Sequence, residues 1–237
     1  MQALRSFVFT GYLIGMTLIL GVLASPLLVL PYRWNRAFTK FWCRVMFWAF
    51  DRIIGVQTVI KGEENIPDGP FFAAFKHQAQ WETIFANLYF DDAVFVIKKE
   101  LMWIPVFGWW SWKMRMIPVD RGGHAKALRK MLRQAKAECE KGRTIVIFPQ
   151  GTRTAPGTKN TYKPGVAAIY GALDVPVVPV ALNSGLLWPR RGFAYKPGTI
   201  TVEFLPPIEP GLSRKEIMAE LETSIETATD RLVAEAT

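Results

Sequence analysis

Cysteine and histidine are the scarcest chemistry-bearing residues in this 237-residue chain, with two of each. Cys43 and Cys139 cannot make a disulfide framework, and each falls in an apolar, helix-like pattern. A reduced compartment with two core or interfacial thiols is the expectation. Charge is absent altogether from Ser6 to Tyr32. Acidic side chains are the minority, 20 against 29 Lys and Arg, for a net charge of +9. There is no internal repeat or low-complexity tract. No helix-turn-helix, RNP-type or zinc pattern is present either, so the basic charge has no motif support for a nucleic-acid partner. Nothing in the pattern asks for a metal or a cofactor.

What the chain has in quantity is apolar surface. Half of its residues are hydrophobic, nine are Trp and sixteen are Phe, and mean hydropathy is +0.14. The length suits one domain, or one domain with an appendage. The positive charge is uneven: residues 1–61 carry seven Lys or Arg against Asp51 alone, and residues 98–143 carry twelve against four acids. Basic charge beside this much hydrophobicity points to an anionic membrane surface.

The uncharged run is long enough to cross a hydrocarbon core of about 30 Å as a helix. Gly11, Gly15, Gly21 and Pro26 argue against a simple straight span, so a kinked or half-inserted helix competes with it. The run is too long for a signal peptide. Arg33, Arg36, Lys40 and Arg44 outnumber Arg5, which places the bulk of the chain, and any active site, on the cytoplasmic side of the inner membrane. Trp34 to Ile54 then reads as an interfacial amphipathic helix, with Phe38, Trp42, Val45, Met46, Ala49 and Ile53 on one side. A buried core helix is the alternative. Residues 1–55 are thus expected to form N-terminal membrane-associating helices.

Residues 56–237 alternate strands and helices. Strand patterns lie at Val56–Ile60, Phe71–Phe75, Ala93–Ile97, Met116–Val119, Thr144–Phe148, Val175–Leu182 and Thr199–Leu205. Helical spacing follows at Trp81, at Ala125–Lys141 and after Pro164. Ser213 with Glu216 predicts a capping box before a final amphipathic helix. The fold class is α/β, a mixed, largely parallel sheet flanked by helices, with an N-terminal hydrophobic and amphipathic membrane module.

Three of the strand patterns end in polar clusters, where α/β folds gather their ligands. These are Lys76-His77 followed by Glu82, Asp120-Arg121, and Gln150-Gly151-Thr152-Arg153. His77 and Glu82 are five residues apart, about 140° on a continuous helix, so they could not share a helix face. They can meet only if His77 lies in the turn before the helix and Glu82 in its first turn. A histidine so paired is a general base, and arginines beside it describe an anion site. Gly151 would let the backbone approach a phosphate closely.

The combination resembles the glycerolipid acyltransferases. His77-Gln-Ala-Gln-Trp-Glu82 is similar to their H-x4-D/E block, and Ile117-Pro-Val-Asp-Arg121 to the second. Phe148-Pro-Gln-Gly-Thr-Arg153 resembles F-P-E-G-T-R, and Val175-Pro-Val-Val-Pro179-Val the fourth block, V-P-V-x-P-V/A. The blocks run in order from Val56 to Leu205, and lysophosphatidate acyltransferases match best. The resemblance implies transfer of an acyl group from acyl-CoA or acyl carrier protein to the sn-2 hydroxyl of lysophosphatidic acid, giving phosphatidic acid. His77 would be the base and Glu82 its orienting carboxylate. Arg121, Arg153, Gly151 and Thr152 would hold the phosphate, with Lys98 as a weaker third cation and Gln150 in support. Trp103, Phe107 and Trp110 would line an acyl path or belong to a helix core. No G-x-S-x-G is present and neither cysteine lies in a block, so no acyl-enzyme is required. Glu82 stands where Asp is commoner, and Gln150 where Glu is usual. Gln150 keeps open another acceptor, such as glycerol 3-phosphate or a lyso-ornithine-type lipid. A non-catalytic membrane-binding protein is the third reading.

Overall fold

Short apolar runs bounded by Gly, Pro and charge become the strands. A computed structural model of the chain describes residues 1–120, 122 and 124–237, with the backbone alone at His124. Among the described residues the strands are β1 (Val56–Lys61), β2 (Phe72–Phe75), β3 (Ala93–Lys98), β4 (Ile117–Val119), β5 (Thr144–Ile147), β6 (Val177–Leu182) and β7 (Gly198–Phe204). They form one sheet in the order β1-β7-β6-β2-β5-β3-β4. Only β6 and β7 pair antiparallel; the other neighbours are parallel. The mixed, largely parallel sheet is therefore as expected. Because β6, β2, β5, β3 and β4 all run the same way, their C-terminal ends share one edge. That edge carries His77 after β2 and the loop with Gly151 and Arg153 after β5.

Both faces of the sheet are covered, which is why β2 is buried at every position. Side chains alternate across a strand. Ala73 and Phe75 face one layer with Val146 and Val180, while Phe72 and Ala74 face the other with Ile145 and Ile147. The first layer holds α1 (Gln2–Leu23), α2 (Tyr32–Ala49) and α3 (Trp81–Tyr89). The second holds α5 (His124–Cys139), α6 (Gly165–Leu173) and α7 (Arg214–Ala236). Between β3 and β4 lies the short α4 (Phe107–Lys113). The capping box of α7 forms as its sequence demands, with Ser213 Oγ accepting from the Glu216 amide. His124 is the first residue of α5.

Of the forms open to the N-terminal helix, the continuous one is found. α1 continues through Gly11, Gly15 and Gly21, and the chain breaks only at a 3-10 turn, Ser25–Val29. Pro26 sits in that turn, where its missing N–H costs least. At 1.5 Å per residue α1 is about 33 Å long, yet both of its ends are held by the α/β body. Near the start, Gln2 Nε2 and Ser6 Oγ donate to the Tyr195 carbonyl at 2.9 and 3.4 Å. Phe9 packs among Phe50, Trp188 and Tyr195, with ring centroids 5.0 to 5.5 Å apart. Near the end, Trp110 Nε1 donates to the Gly21 carbonyl at 3.2 Å. A Cβ on Gly21 would stand 2.2 Å from Val106 Cγ1, so only glycine permits this approach.

The second helix corrects the side expected to meet the membrane. Met46 and Ala49, together with Cys43, are buried in the body's core, Trp42, Val45 and Ile53 are half-buried against it, and Phe38 is half-buried on Trp110. The exposed aromatics are instead Trp34, Phe41 and Trp48, which recur every seven residues and so form one outward stripe. The helix serves as a core element on one side and presents aromatics on another. Burial pushes the Cys43 thiol up to about 12 and also raises Cys139, leaving two unreactive core thiols.

A buried polar knot joins α2 to the sheet. Tyr32 donates to Asp92 Oδ1 at 2.6 Å, and Arg143 bonds the same oxygen at 2.8 Å and Glu138 at 2.7 Å. Burial first, and then the Asp92 bond, pushes the Tyr32 hydroxyl up.

Candidate active site

The strand β2 ends at Phe75, and α3 begins at Trp81, so His77 and Glu82 stand at a strand-to-helix turn. Alternation along β2 turns Lys76 toward the α5–α7 layer and His77 toward the α1–α3 layer. His77 Nδ1 lies 2.8 Å from Glu82 Oε1. The same oxygen accepts the backbone amides of Gln78 and Ala79 at 2.6 and 2.8 Å. Ser184 Oγ donates to Oε2 at 2.9 Å. Glu82 is fully buried, and a carboxylate taken out of water must be satisfied by this kind of donor set. The extra methylene of Glu over Asp is used: from the second residue of the helix, its carboxylate reaches back over the whole turn.

A carboxylate oxygen with this set of donors can only accept, so Nδ1 carries the imidazole proton. In the neutral ring this tautomer leaves the lone pair on Nε2. The ring is fixed from the side by Phe148, stacked at 4.0 Å between centroids and 22° between planes. The His77 side chain remains 16% exposed, so part of the ring is open to solvent.

Beside this pair runs the loop that follows β5. The Thr154 amide donates to the His77 carbonyl at 2.7 Å, tying the loop to the histidine's own backbone. Gly151 has φ +65°, a left-handed value that glycine adopts without strain. Arg153 is half-buried. Its charge reaches Tyr195, whose hydroxyl is pushed up by burial and drawn down by a hydrogen bond with Thr10 and by Arg153.

Lys98 is exposed at the end of β3, paired in register with Val119. Arg121 lies outside the described residues. Thr152 is half-buried in the loop. Gln150 is buried, and its amide points to Glu226 at 3.4 Å. Trp103 is 85% exposed and Phe107 is also exposed, so neither belongs to a helix core. Trp110 packs on Phe38 at 4.4 Å. Sequence reasoning missed Ser184, which follows β6 as His77 follows β2. The polar pair Asn183-Ser184 closing an apolar strand was the available signal.

Residues 57–183 match the family model described as Acyltransferase. A 1-acyl-sn-glycerol-3-phosphate acyltransferase of Pseudomonas aeruginosa is 33% identical over 99% of this chain and 92% of its own. The chain belongs to the acyltransferase family. A second relative in this acyltransferase family, the 1-acyl-sn-glycerol-3-phosphate acyltransferase of Saccharomyces cerevisiae, is 25% identical over 84% of this chain and 67% of its own. The fold is similar to the crystal structure of the 1-acyl-sn-glycerophosphate (LPA) acyltransferase PlsC from Thermotoga maritima. That likeness has a TM-score of 0.79 over 98% of both chains at 22% identity. The first, third and fourth of the resembling blocks fall wholly on described residues of this acyltransferase; Phe148 of the third stacks on His77 of the first, and Val180 of the fourth accepts the amide of Lys76 directly before it.

Proposed function

We propose that the protein transfers an acyl group from an acyl thioester to the sn-2 hydroxyl of lysophosphatidate, forming phosphatidate. One observation carries this reading: an imidazole with Nδ1 held by a buried carboxylate stands at one strand end, beside a glycine-arginine loop at the next. The relatives, which bear the name of this activity, support it.

In the reaction, Nε2 of His77 takes the proton of the acceptor hydroxyl as its oxygen attacks the thioester carbonyl. Glu82 stabilises the imidazolium that forms, as the carboxylate of a triad does. Collapse of the tetrahedral intermediate expels the thiolate, and the imidazolium returns the proton to it. Arg153 and Arg121 hold the phosphate, with the backbone at Gly151 and Thr152 and Lys98 in support. The exposed Lys126, Arg129, Lys130, Arg133 and Lys136 of α5 form a basic face for an anionic donor, coenzyme A or acyl carrier protein alike. Gln150, the residue that kept another acceptor open, donates to Glu226 at 3.4 Å, which supports a structural reading of that position.

The test is an acceptor panel with both donors: lysophosphatidate, glycerol 3-phosphate, a lyso-ornithine lipid and phosphate-free monoacylglycerol. The highest kcat/KM is expected for lysophosphatidate. Arg153→Ala should raise its KM about tenfold to a hundredfold, the value of a charge-assisted bond of roughly 1.5–3 kcal/mol, with the donor's KM little changed. Equal use of monoacylglycerol, or an unaltered KM, would contradict the reading.

The acyltransferase works at a membrane surface in this account, on the cytoplasmic side. With both ends of α1 docked on the body, the helix lies along the boundary and does not carry one end across it. Trp103 and Trp112, 85% and 71% exposed, extend the apolar surface from α1. Replacing both with alanine should weaken binding to anionic vesicles by about tenfold or more, since each indole buries at least 150 Å² when it inserts. Sedimentation with vesicles reads this, and unchanged binding would remove α4 and the turn before it from the membrane seat.

A further inference from the structure

Behind the histidine, on the opposite face of the sheet, lies a charged cluster that touches no reacting group. Lys76, the residue before His77, is fully enclosed, and its Nζ donates to both oxygens of Glu226 at 2.7 and 2.6 Å. Glu226 belongs to α7 and is also buried. Gln150 Nε2 reaches Glu226 Oε1 at 3.4 Å, and the Tyr162 hydroxyl donates to it at 2.9 Å. Burial, and then the charge of Glu226, raise Tyr162 well above the usual phenol range, so the tyrosine stays a neutral donor. The cluster balances with one cation, one anion and two neutral partners.

Its place in the chain gives it a use. The loop after β5 is fastened to the end of β2 at two points. One is the Thr154 amide on the His77 carbonyl at 2.7 Å. The other is Gln150 to Glu226 to Lys76. Between these fastenings lie Gly151, Thr152 and Arg153. The same pattern accounts for Gln150 standing where F-P-E-G-T-R has Glu: a carboxylate already reaches Lys76 from α7, and a second one would leave the enclosed cluster with net negative charge.

We infer that Lys76 and Glu226 are positioning residues for acyl transfer, an ion pair that sets the arginine loop's distance from His77, with Glu226 supplying from α7 the negative charge that the family pattern carries at position 150. This rests on the acyltransferase reading of the site. The pair acts through the backbone on either side of His77 and through Gln150. It also makes the C-terminal helix part of the acceptor site without contact to the acceptor.

The experiment is a charge relocation in the full-length protein: Glu226→Gln, Gln150→Glu and the two combined. Glu226→Gln leaves an enclosed lysine unpaired and should lower Tm by roughly 6–15 °C. It should also cut kcat/KM for lysophosphatidate about tenfold, leaving the KM of the acyl donor within about twofold. Gln150→Glu alone crowds two carboxylates around one lysine and should lose activity similarly. The double variant restores one carboxylate to one lysine and should return to within about threefold of wild type in kcat/KM, with Tm recovered. A double variant that is unfolded, inactive, or as impaired as the two single losses multiplied would overturn the inference. So would either single variant with wild-type kcat/KM for lysophosphatidate. A wild-type protein without transfer to lysophosphatidate is a failure of the acyltransferase reading itself, and it shows before any variant is compared.

Discussion

Glu82→Ala is expected to abolish measurable transfer and to destabilise the fold. Four donors converge on that carboxylate: the His77 ring, the amides of Gln78 and Ala79, and the Ser184 hydroxyl. Removing it strands buried donors at about 1–3 kcal/mol each, so two orphaned amides alone cost roughly 2–6 kcal/mol. Glu82→Gln separates charge from geometry. Its amide oxygen can keep the position that accepts from His77 and both backbone amides. Its NH2 then faces Ser184, whose hydroxyl turns to accept. The imidazole stays in place with the same tautomer, but the negative charge that stabilises the imidazolium is gone. A charge-assisted hydrogen bond is worth about 1.5–3 kcal/mol, so kcat should fall about tenfold to a hundredfold with little change in acceptor KM. Steady-state kinetics beside a thermal melt read both substitutions. Glu82→Gln with wild-type kcat would mean that no imidazolium forms in the rate-limiting step.

His77→Ala is expected to give a folded protein that has lost about 10²–10⁴ in kcat, the span of a general base. The side chain is partly exposed and, among the described residues, makes one ring stack and one hydrogen bond, so its removal costs the core little. The backbone tie from Thr154 to residue 77 does not depend on the side chain. Acceptor KM should therefore change far less than kcat, which distinguishes a missing base from a collapsed site.

The sheet was legible because each strand is a short apolar run with a hard stop: Gly55 before β1, Lys76 after β2, Pro149 after β5. Burial on both faces enforces those runs. The His77–Glu82 pairing could also be argued in advance, since its two members are five residues apart and helix geometry leaves one way for them to meet. Ser184 and Glu226 could not be found that way. They approach their partners across 102 and 150 residues of chain, and only the closed sheet brings them near. Glu226 lies among Glu220, Glu222 and Asp230 on an amphipathic helix, and no local feature distinguishes it from its solvated neighbours. Lys76 read as the polar stop of a strand, and it is that, but alternation turns its side chain away from His77 into the opposite layer.

The N-terminal helices show the reverse limit. Hydropathy marked α1 as apolar without saying what its apolar sides touch. Phe9 faces the body and Phe7 the outside; in composition they are equivalent. On α2 the pattern offered one apolar side where the structure has two, a core side at Cys43 and Met46 and an outer stripe at Trp34, Phe41 and Trp48. A window that sums hydrophobicity cannot divide these.

The central claim is direct transfer to the hydroxyl of a phosphate-bearing lysolipid with His77 as base. Phosphatidate formation from lysophosphatidate and an acyl thioester on anionic vesicles, followed for wild type and His77→Ala side by side, tests it most directly. The account expects product from the wild-type protein and at least about a hundredfold less from the variant, with both proteins equally folded and equally bound to the vesicles. Equal phosphatidate from the two would contradict it.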